Sequence, residues 1–179
     1  MVKIAPRDAE ARTSRPDSAW RAVLLYGPDR GLIKERADRL AQSVVPDLAD
    51  PFRIATFDPR SLTEDPARLA DEAAAIAFGG GRRVVRLREG TDTVAPALSA
   101  FLADPAGDAL VVVDAGELGP ASKLRKLFES AVNAAAIACY GDEGRDLAEV
   151  IRSHLSEAGF MADADALLAL AAVLGADRA

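Results

Sequence analysis

The chain has 179 residues, of which half are hydrophobic and only 5% aromatic, a balance that favours helices packed through small side chains. With 22 basic and 28 acidic residues the net charge is −6, so strong binding to DNA phosphates by this chain alone is not expected. The single cysteine, Cys139, excludes an internal disulfide and is expected to be a packed thiol. The sequence contains neither a signal peptide nor a run of transmembrane length, so we expect a cytoplasmic protein.

The first elements lead to a strand, a glycine turn and a helix. Residues 2–4 predict a short edge strand, and Pro6 suits the first turn of a short helix. Residues 22–26 form a continuous apolar run, which is typical of a parallel strand buried on both faces. After Gly31 the apolar residues recur at helical spacing, and Pro46 is expected to end this helix.

The turn between this strand and helix has the frame of a phosphate-binding loop. Its residues Gly27, Pro28, Asp29 and Gly31 depart from the pattern G-x-x-x-x-G-K-[ST], in which lysine and a hydroxyl serve the phosphates and magnesium. The two glycines are four rather than five positions apart, and two apolar residues follow Gly31. We therefore interpret the turn as a degenerate P-loop that binds no nucleotide, and we predict no cofactor and no metal.

A strand and a helix are predicted next. Apolar and polar residues alternate along residues 52–57, which is typical of a strand with one face toward solvent. Thr63 is expected to begin a helix that ends at Phe78, before three glycines that permit the left-handed conformation of helix ends. Along one side this helix would carry Leu69, Ala73, Ile76 and Ala77. The residues alone favour Phe78 as part of the core over an exposed anchor.

Arginines alternate through the strand predicted at residues 82–88. They are Arg82, Arg83, Arg86 and Arg88. One interpretation is that this group contacts nucleic acid or a partner, through Arg82 and Arg83 in particular. No aromatic stacking platform is interleaved with them, however, so ion pairs with the many carboxylates are favoured.

Two acids follow the clearest strand, residues 109–113. Asp114 and Glu117 stand where a Walker B pair would bind magnesium and polarise water. Because two residues separate them, we favour a degenerate Walker B at a solvent-exposed strand end. Ser122 is expected to cap the next helix, and residues 135–140 predict a final buried strand.

Strands that alternate with helices in this way predict an α/β fold, a parallel sheet with helices on both faces. We place this domain at residues 1–141. Residues 142–179 read as helical throughout and are assigned to a small second domain, which we expect to be cut short. The only histidine, His154, lies in this helical part and is expected at the surface.

Several of these segments together resemble the delta subunits of bacterial DNA polymerase III, the clamp-loader component that opens the sliding clamp. The resemblance rests on residues 24–33, 77–85, 110–118, 122–129, 137–140 and 174–178. It implies a RecA/AAA+-like first domain with a degenerate P-loop, part of a small helical (lid) domain, and a C-terminal collar that is absent from this chain.

The resemblance also implies partners and a binding segment. The family's delta subunit lacks a functional ATP site and binds the clamp through a helix-end motif, approximately Met/Leu-Ser-Leu-Phe. The matching segment is 75–78, which makes Ile76, Ala77 and Phe78 the implied clamp-binding residues, with Ala77 in place of the leucine. The implied partners are the sliding clamp (beta subunit) and, through the collar, the gamma/tau and delta prime subunits. DNA would be contacted only within the complex, and no membrane is involved.

We therefore hypothesise a non-catalytic clamp-opening subunit. An active P-loop ATPase with an atypical loop is one alternative. A nucleic-acid adaptor that uses Arg82–Arg88 is the other.

Overall fold

A computed structural model of the chain describes residues 3–4, 8–77, 80–140, 147–163, 165–167, 169–170 and 173. The chain divides into two compact units, Met1–Tyr140 and Gly141–Ala179. This division falls beside the boundary expected after residue 141. The two units are described separately below as unit 1 and unit 2.

The described part of unit 1 contains a six-stranded sheet in which every pairing is parallel. The strands are β1 Lys3–Ile4, β2 Ala22–Tyr26, β3 Ile54–Phe57, β4 Val84–Gly90, β5 Leu110–Ala115 and β6 Ala134–Ala138. Their order across the sheet is β1-β6-β2-β5-β4-β3. The strand with the glycine turn, β2, therefore lies inside the sheet, and the predicted short strand β1 is confirmed at one edge.

Helices connect these strands. They are α1 Ala9–Ser14, α2 Arg30–Gln42, α3 Pro59–Glu64, α4 Arg68–Ala74, α5 Ala95–Ala103 and α6 Lys123–Ser130, with a short 3-10 helix at Asp92–Val94 before α5. The helix α2 ends at Gln42, four residues before the proline that was expected to end it.

Side chains that alternate along each strand point to opposite faces of the sheet, and each face has its own core. In β2, Leu24 belongs to the core that α3, α4, α5 and α6 cover, whereas Val23 and Leu25 belong to the core beneath α1 and α2. All five residues of β2 are buried. The predicted parallel sheet with helices on both faces is confirmed.

The single helix predicted from Thr63 to Phe78 is wrong. Two short helices stand in its place, because Asp58 caps α3: its carboxylate accepts a hydrogen bond from the backbone N–H of Ser61 at 2.8 Å. Pro59 lies in the first turn of α3, so this helix begins with both a capping carboxylate and a proline. The second helix, α4, ends at Ala74, where Ala75 turns to an extended conformation.

Helix α6 is capped from two elements at once. Ser122 accepts a hydrogen bond from the N–H of Arg125, as predicted, and donates its hydroxyl to Asp92 at 2.6 Å. The Asp92 carboxylate also accepts from the N–H of Leu124 at 3.0 Å. The Ser122 hydroxyl first, and then the backbone N–H groups at the start of α6, hold the pKa of Asp92 below its usual value.

The Asp92 carboxylate should make stability pH-dependent. A lowered pKa in the folded state means that its contribution is complete above the ordinary pKa and is lost as the pH falls through the lowered one. At pH 7, Asp92→Asn should lower the Tm by no more than about 2–4 °C, because solvent screens this exposed group. This difference in Tm between the variant and the unchanged chain should disappear as the pH falls below about 4. Thermal scans of Asp104→Asn provide the control. A Tm difference between Asp92→Asn and the unchanged chain that persists at low pH would contradict a stabilising role for the charged Asp92 carboxylate.

Unit 2 contains helix α7, Leu147–Glu157, which ends near Gly159 at a positive φ of 80°. Ile151 and Leu167 form its buried core. The predicted surface residue His154 is 61% exposed in its side chain, which confirms that prediction. Among the described residues of the whole chain, no helix has the length and apolar character needed to cross a membrane.

Candidate functional site

The turn after β2 is tightly packed against neighbouring backbone. Gly27 has a φ of 148°, and a Cβ on this residue would lie 2.1 Å from the carbonyl oxygen of Cys139. The N–H of Gly27 donates to the carbonyl of Gly116 at 3.2 Å, and the N–H of Asp29 donates to the carbonyl of Cys139 at 3.4 Å. Two N–H groups of the turn thus bind the protein's own backbone.

The start of α2 is occupied by a carboxylate of the same turn. Asp29 is the N-cap of α2 and its side chain accepts a hydrogen bond from the N–H of Leu32 at 2.9 Å. A phosphate at a helix N-terminus would be bound by the same type of N–H group. Gly31 lies inside the first turn of α2 rather than before it, since the helix begins at Arg30. Asp29 therefore places a negative charge where an anionic ligand would need to approach, and Pro28 carries no N–H to offer.

This geometry predicts that the chain does not bind ATP. A phosphate would have to displace the Asp29 carboxylate, and leucine rather than lysine directly follows Gly31. We expect titration calorimetry with ATP and magnesium to give no heat of binding up to millimolar nucleotide. A magnesium-dependent dissociation constant in the micromolar range would contradict this expectation.

Near this turn, a buried arginine joins two carboxylates from different elements. The guanidinium of Arg86, in β4, donates through Nη1 to Asp38 in α2 at 2.6 Å. Its Nη2 lies 3.5 Å from Oδ2 of Asp114 in β5. Asp38 also accepts a hydrogen bond from Lys34 at 2.9 Å, one turn earlier in α2. We call Lys34, Asp38, Arg86 and Asp114 the Arg86 network.

The Arg86 network corrects the expectation for the degenerate Walker B pair. Asp114 is not a solvent-exposed strand end: its side chain is only 17% exposed and lies beside Arg86. Burial raises the pKa of the Asp114 carboxyl, and the neighbouring Arg86 works against that rise. For Asp38, burial also acts to raise the pKa, but the hydrogen bonds from Lys34 and Arg86 outweigh it and lower the pKa. Glu117 lies beyond the end of β5 and is exposed.

A cleft of about 570 Å³ opens at this place, beside α2 and the carboxyl ends of β4 and β5. Arg86 and Asp114 line it, together with Arg30, Lys34, Arg88 and Glu117. The carboxyl edge of a parallel sheet is where α/β proteins place ligands. Here positive and negative side chains line the cleft together, and the charge of Arg86 is opposed by Asp38 and Asp114.

The ion pair between Asp38 and Arg86 was not predicted from the sequence. Asp38 is one of several charged residues of α2, and the charged residues of a helix usually meet solvent. The two residues are 48 positions apart, and the packing of α2 on the sheet brings them together. The expectation that arginines of residues 82–88 pair with carboxylates holds for Arg83 and Arg86, whereas Arg82 donates to backbone carbonyls.

Two of the remaining arginines, Arg82 and Arg83, make contacts within the protein. Arg83 is buried and pairs with Glu72 of α4. Arg82 is half-buried and donates to the carbonyls of Asp108 at 2.6 Å and Trp20 at 3.3 Å. Arg82 and Arg83 also precede β4, which begins at Val84, and so do not alternate along a strand. The basic surface considered for nucleic acid is thus reduced to Arg88, which is exposed.

The implied clamp-binding segment follows α4 instead of ending it. Ile76 is 91% exposed, while Ala77 is 4% exposed and contributes its side chain to the protein interior. Phe78 lies outside the described residues. Of the three implied clamp-binding residues, the structure therefore presents Ile76 to solvent and turns Ala77 away from it.

Other reactive side chains are isolated. Cys139 is buried, as predicted, and burial raises the pKa of its thiol. The guanidinium of Arg36 lies 3.4 Å from its Sγ. Within the described ranges, no group of three or more His, Cys, Asp and Glu side chains is arranged to hold a metal ion.

Comparison with protein-family models gives no match, and neither does comparison with curated proteins. The fold is similar to that of the Bacillus subtilis DNA clamp loader delta protein, with a TM-score of 0.63 and 22% identity over 86% of this chain and 48% of that one. It is also similar to a DNA polymerase III gamma subunit-related protein from Thermotoga maritima, with a TM-score of 0.54 and 19% identity over 84% of this chain and 52% of that one. The chain spans about half the length of these proteins. Identities this low show the fold alone, which is the predicted parallel α/β fold.

Proposed function

We propose that this chain is a non-catalytic, delta-type clamp-loader subunit, which binds the sliding clamp and favours its open form. The observation that carries the proposal is the exposed Ile76, 91% accessible, in the segment that matches the clamp-binding motif of delta subunits. The fold of a clamp loader delta protein, shared over 86% of this chain, supports it.

Clamp binding needs an apolar side chain that can enter a pocket on a partner. Large aliphatic side chains are normally covered in a folded domain, and a single exposed one is unremarkable. Ile76 differs because Phe78 lies two residues further along the chain, so two large apolar residues follow α4 closely. Interface energies are concentrated in a few such anchors.

The absence of catalysis is part of the proposal. Asp29 occupies the start of α2, and Asp114 interacts with Arg86, so the positions that would serve nucleotide and magnesium are engaged within the protein. Opening the clamp then depends on differential affinity: a protein that binds the open ring more tightly than the closed ring shifts the ring toward opening. Gamma/tau and delta prime subunits would control when the segment is exposed. Contact with DNA would occur only in the assembled complex.

Removing the exposed anchor tests the proposal. Ile76→Ala should weaken binding of the same organism's clamp about tenfold, since burial of an isoleucine side chain contributes about 1.5–3 kcal/mol. Surface immobilisation of the clamp and titration of the chain would measure the affinity. Phe78→Ala, an aromatic anchor in the motif, should weaken it on the order of 10- to 100-fold.

Val132→Ala is the matched control, because Val132 is also β-branched, apolar and 83% exposed in unit 1. It should bind as the unchanged chain does. The proposal fails if the unchanged chain does not bind the clamp, or if Ile76→Ala and Phe78→Ala both bind with unchanged affinity. The thermal midpoints of both variants should be recorded alongside, since a large loss for Phe78→Ala with undiminished binding would return Phe78 to the core.

A further inference from the structure

The connection from α5 to β5, residues 105–109, is held by arginine side chains, and we call it the arginine-held loop. Nη2 of Arg21 lies within hydrogen-bond distance of the carbonyl oxygens of residues 106, 107 and 109, at 3.3, 2.7 and 3.4 Å. Nε of Arg82 donates to the carbonyl of residue 108 at 2.6 Å. Four successive carbonyls of one loop thus accept hydrogen bonds from two guanidinium groups.

Both arginines are committed to the backbone. Among the described residues, neither Arg21 nor Arg82 forms an ion pair with a carboxylate. Burial, followed by the nearby charge of Arg21, lowers the pKa of Arg82. Bringing two like charges together is unfavourable, and their hydrogen bonds to the loop offset this cost. The loop is therefore held in one conformation.

The arginine-held loop lies directly against the end of α4. Gly107 has a φ of 60°, and a Cβ on this residue would lie 2.2 Å from the carbonyl oxygen of Ala73 and 2.7 Å from Cα of Ala74. Only a glycine allows this approach of two backbones. The last turn of α4 has another contact outside this loop, because the guanidinium of Arg83 pairs with Glu72.

A helix of seven residues such as α4 is too short to be stable by itself, so tertiary contacts decide where it ends. The residues that follow its end are 75–77, including the exposed Ile76. A binding segment that is already held in place loses less conformational freedom when it binds. The direction in which Ile76 leaves the domain thus depends on the backbone that packs against Ala73 and Ala74.

We propose that the arginine-held loop is a positioning element for the clamp-binding segment, with Gly107 and Arg21 as positioning residues. This inference rests on the proposed clamp binding. Neither residue touches the clamp in this account. They act through the end of α4, which the loop fixes, and the segment leaves the helix in the orientation that the clamp pocket requires.

Two variants test this role. Gly107→Ala forces the loop away from α4, and Arg21→Gln removes a guanidinium that holds the loop without adding a clash. Each should weaken clamp binding about tenfold. Each should also speed amide hydrogen exchange at residues 72–77 in the free protein, a signature that general destabilisation does not confine to one segment. Arg21→Lys, which keeps a charged donor, should restore part of the affinity.

Leu40→Ala is the control, because Leu40 belongs to the core on the opposite face of the sheet. It should lower the thermal midpoint while clamp affinity, measured well below that midpoint, stays unchanged. If the unchanged chain binds the clamp and both loop variants bind equally well, the positioning role is wrong and clamp binding stands. If the unchanged chain does not bind the clamp, the proposed function fails and the positioning role fails with it.

Discussion

Arg86→Ala is expected to destabilise unit 1 by about 3 kcal/mol, at the lower end of the range for breaking a buried ion pair. The side chain of Arg86 is 7% exposed, and its removal leaves Asp114, 17% exposed, without its cation. The lower end applies because Asp38 is 26% exposed and keeps Lys34 as a partner. For a chain of this size the Tm should fall by roughly 6–12 °C.

Denaturant titration of two variants separates the causes. In Arg86→Met combined with Asp114→Asn, the charge of Asp114 is removed together with that of Arg86, so a substantial part of the lost stability should return. Arg88→Ala, at an exposed position of the same strand, should be nearly neutral. A free energy of unfolding for Arg86→Ala within about 0.5 kcal/mol of the unchanged chain would contradict the structural role given to the Arg86 network.

Gly27→Ala is expected to have the second large effect. The new Cβ would lie 2.1 Å from the carbonyl oxygen of Cys139, and the φ of 148° is strained for alanine. Backbone strain of this kind costs about 1–3 kcal/mol, and overpacking against a fixed neighbour adds about the same. The turn after β2 must therefore move away from β6 or the domain loses roughly 2–6 kcal/mol.

Gly116→Ala is the matched control for this substitution. Gly116 lies in the adjoining turn and accepts the hydrogen bond of Gly27 through its carbonyl, yet a Cβ there would meet nothing within 4 Å. Its free energy of unfolding should stay within about 0.5 kcal/mol of the unchanged chain. Comparable losses for both variants would show that the close approach at Gly27 is not what restricts this turn.

The inner strands β2 and β5 were predictable because each contains a continuous apolar run. Val23, Leu24 and Leu25 face both cores, so a run without alternation correctly indicated an inner strand. The last strand, β6, consists largely of alanines, which favour helices, and was still correctly predicted as a strand because it follows the alternation of elements.

The helices before β4 were mispredicted although a usable signal was present. An acidic residue followed by proline, here Asp58 and Pro59, is a signal for a helix start, and it stands before the expected start at Thr63. The three glycines after Phe78 gave the expected helix end, which lies beyond the observed end. The helix α4 ends at Ala74, beside Gly107, which is 33 positions away in the sequence, so no local pattern reports this contact.

The sequence identified single residues of the candidate site but not the contacts between them. The missing lysine directly after Gly31 is visible in the sequence, whereas the role of Asp29 as the cap of α2 was found only in the structure. The burial of Asp114 was not predicted either, because it depends on Arg86 from the neighbouring strand and on α2 above it. A local pattern identifies a strand end but does not tell which side chain of another element covers it.

The proposed function requires this chain to open the sliding clamp without using nucleotide. Fluorescence energy transfer between dyes placed on either side of one clamp interface tests it most directly. We predict that transfer falls when the chain is added at saturating concentration in the absence of ATP. Chain carrying Ile76→Ala and Phe78→Ala should need on the order of 100-fold higher concentration for the same change. Transfer that stays constant while the chain is bound, or that falls only when ATP is added, would contradict the claim.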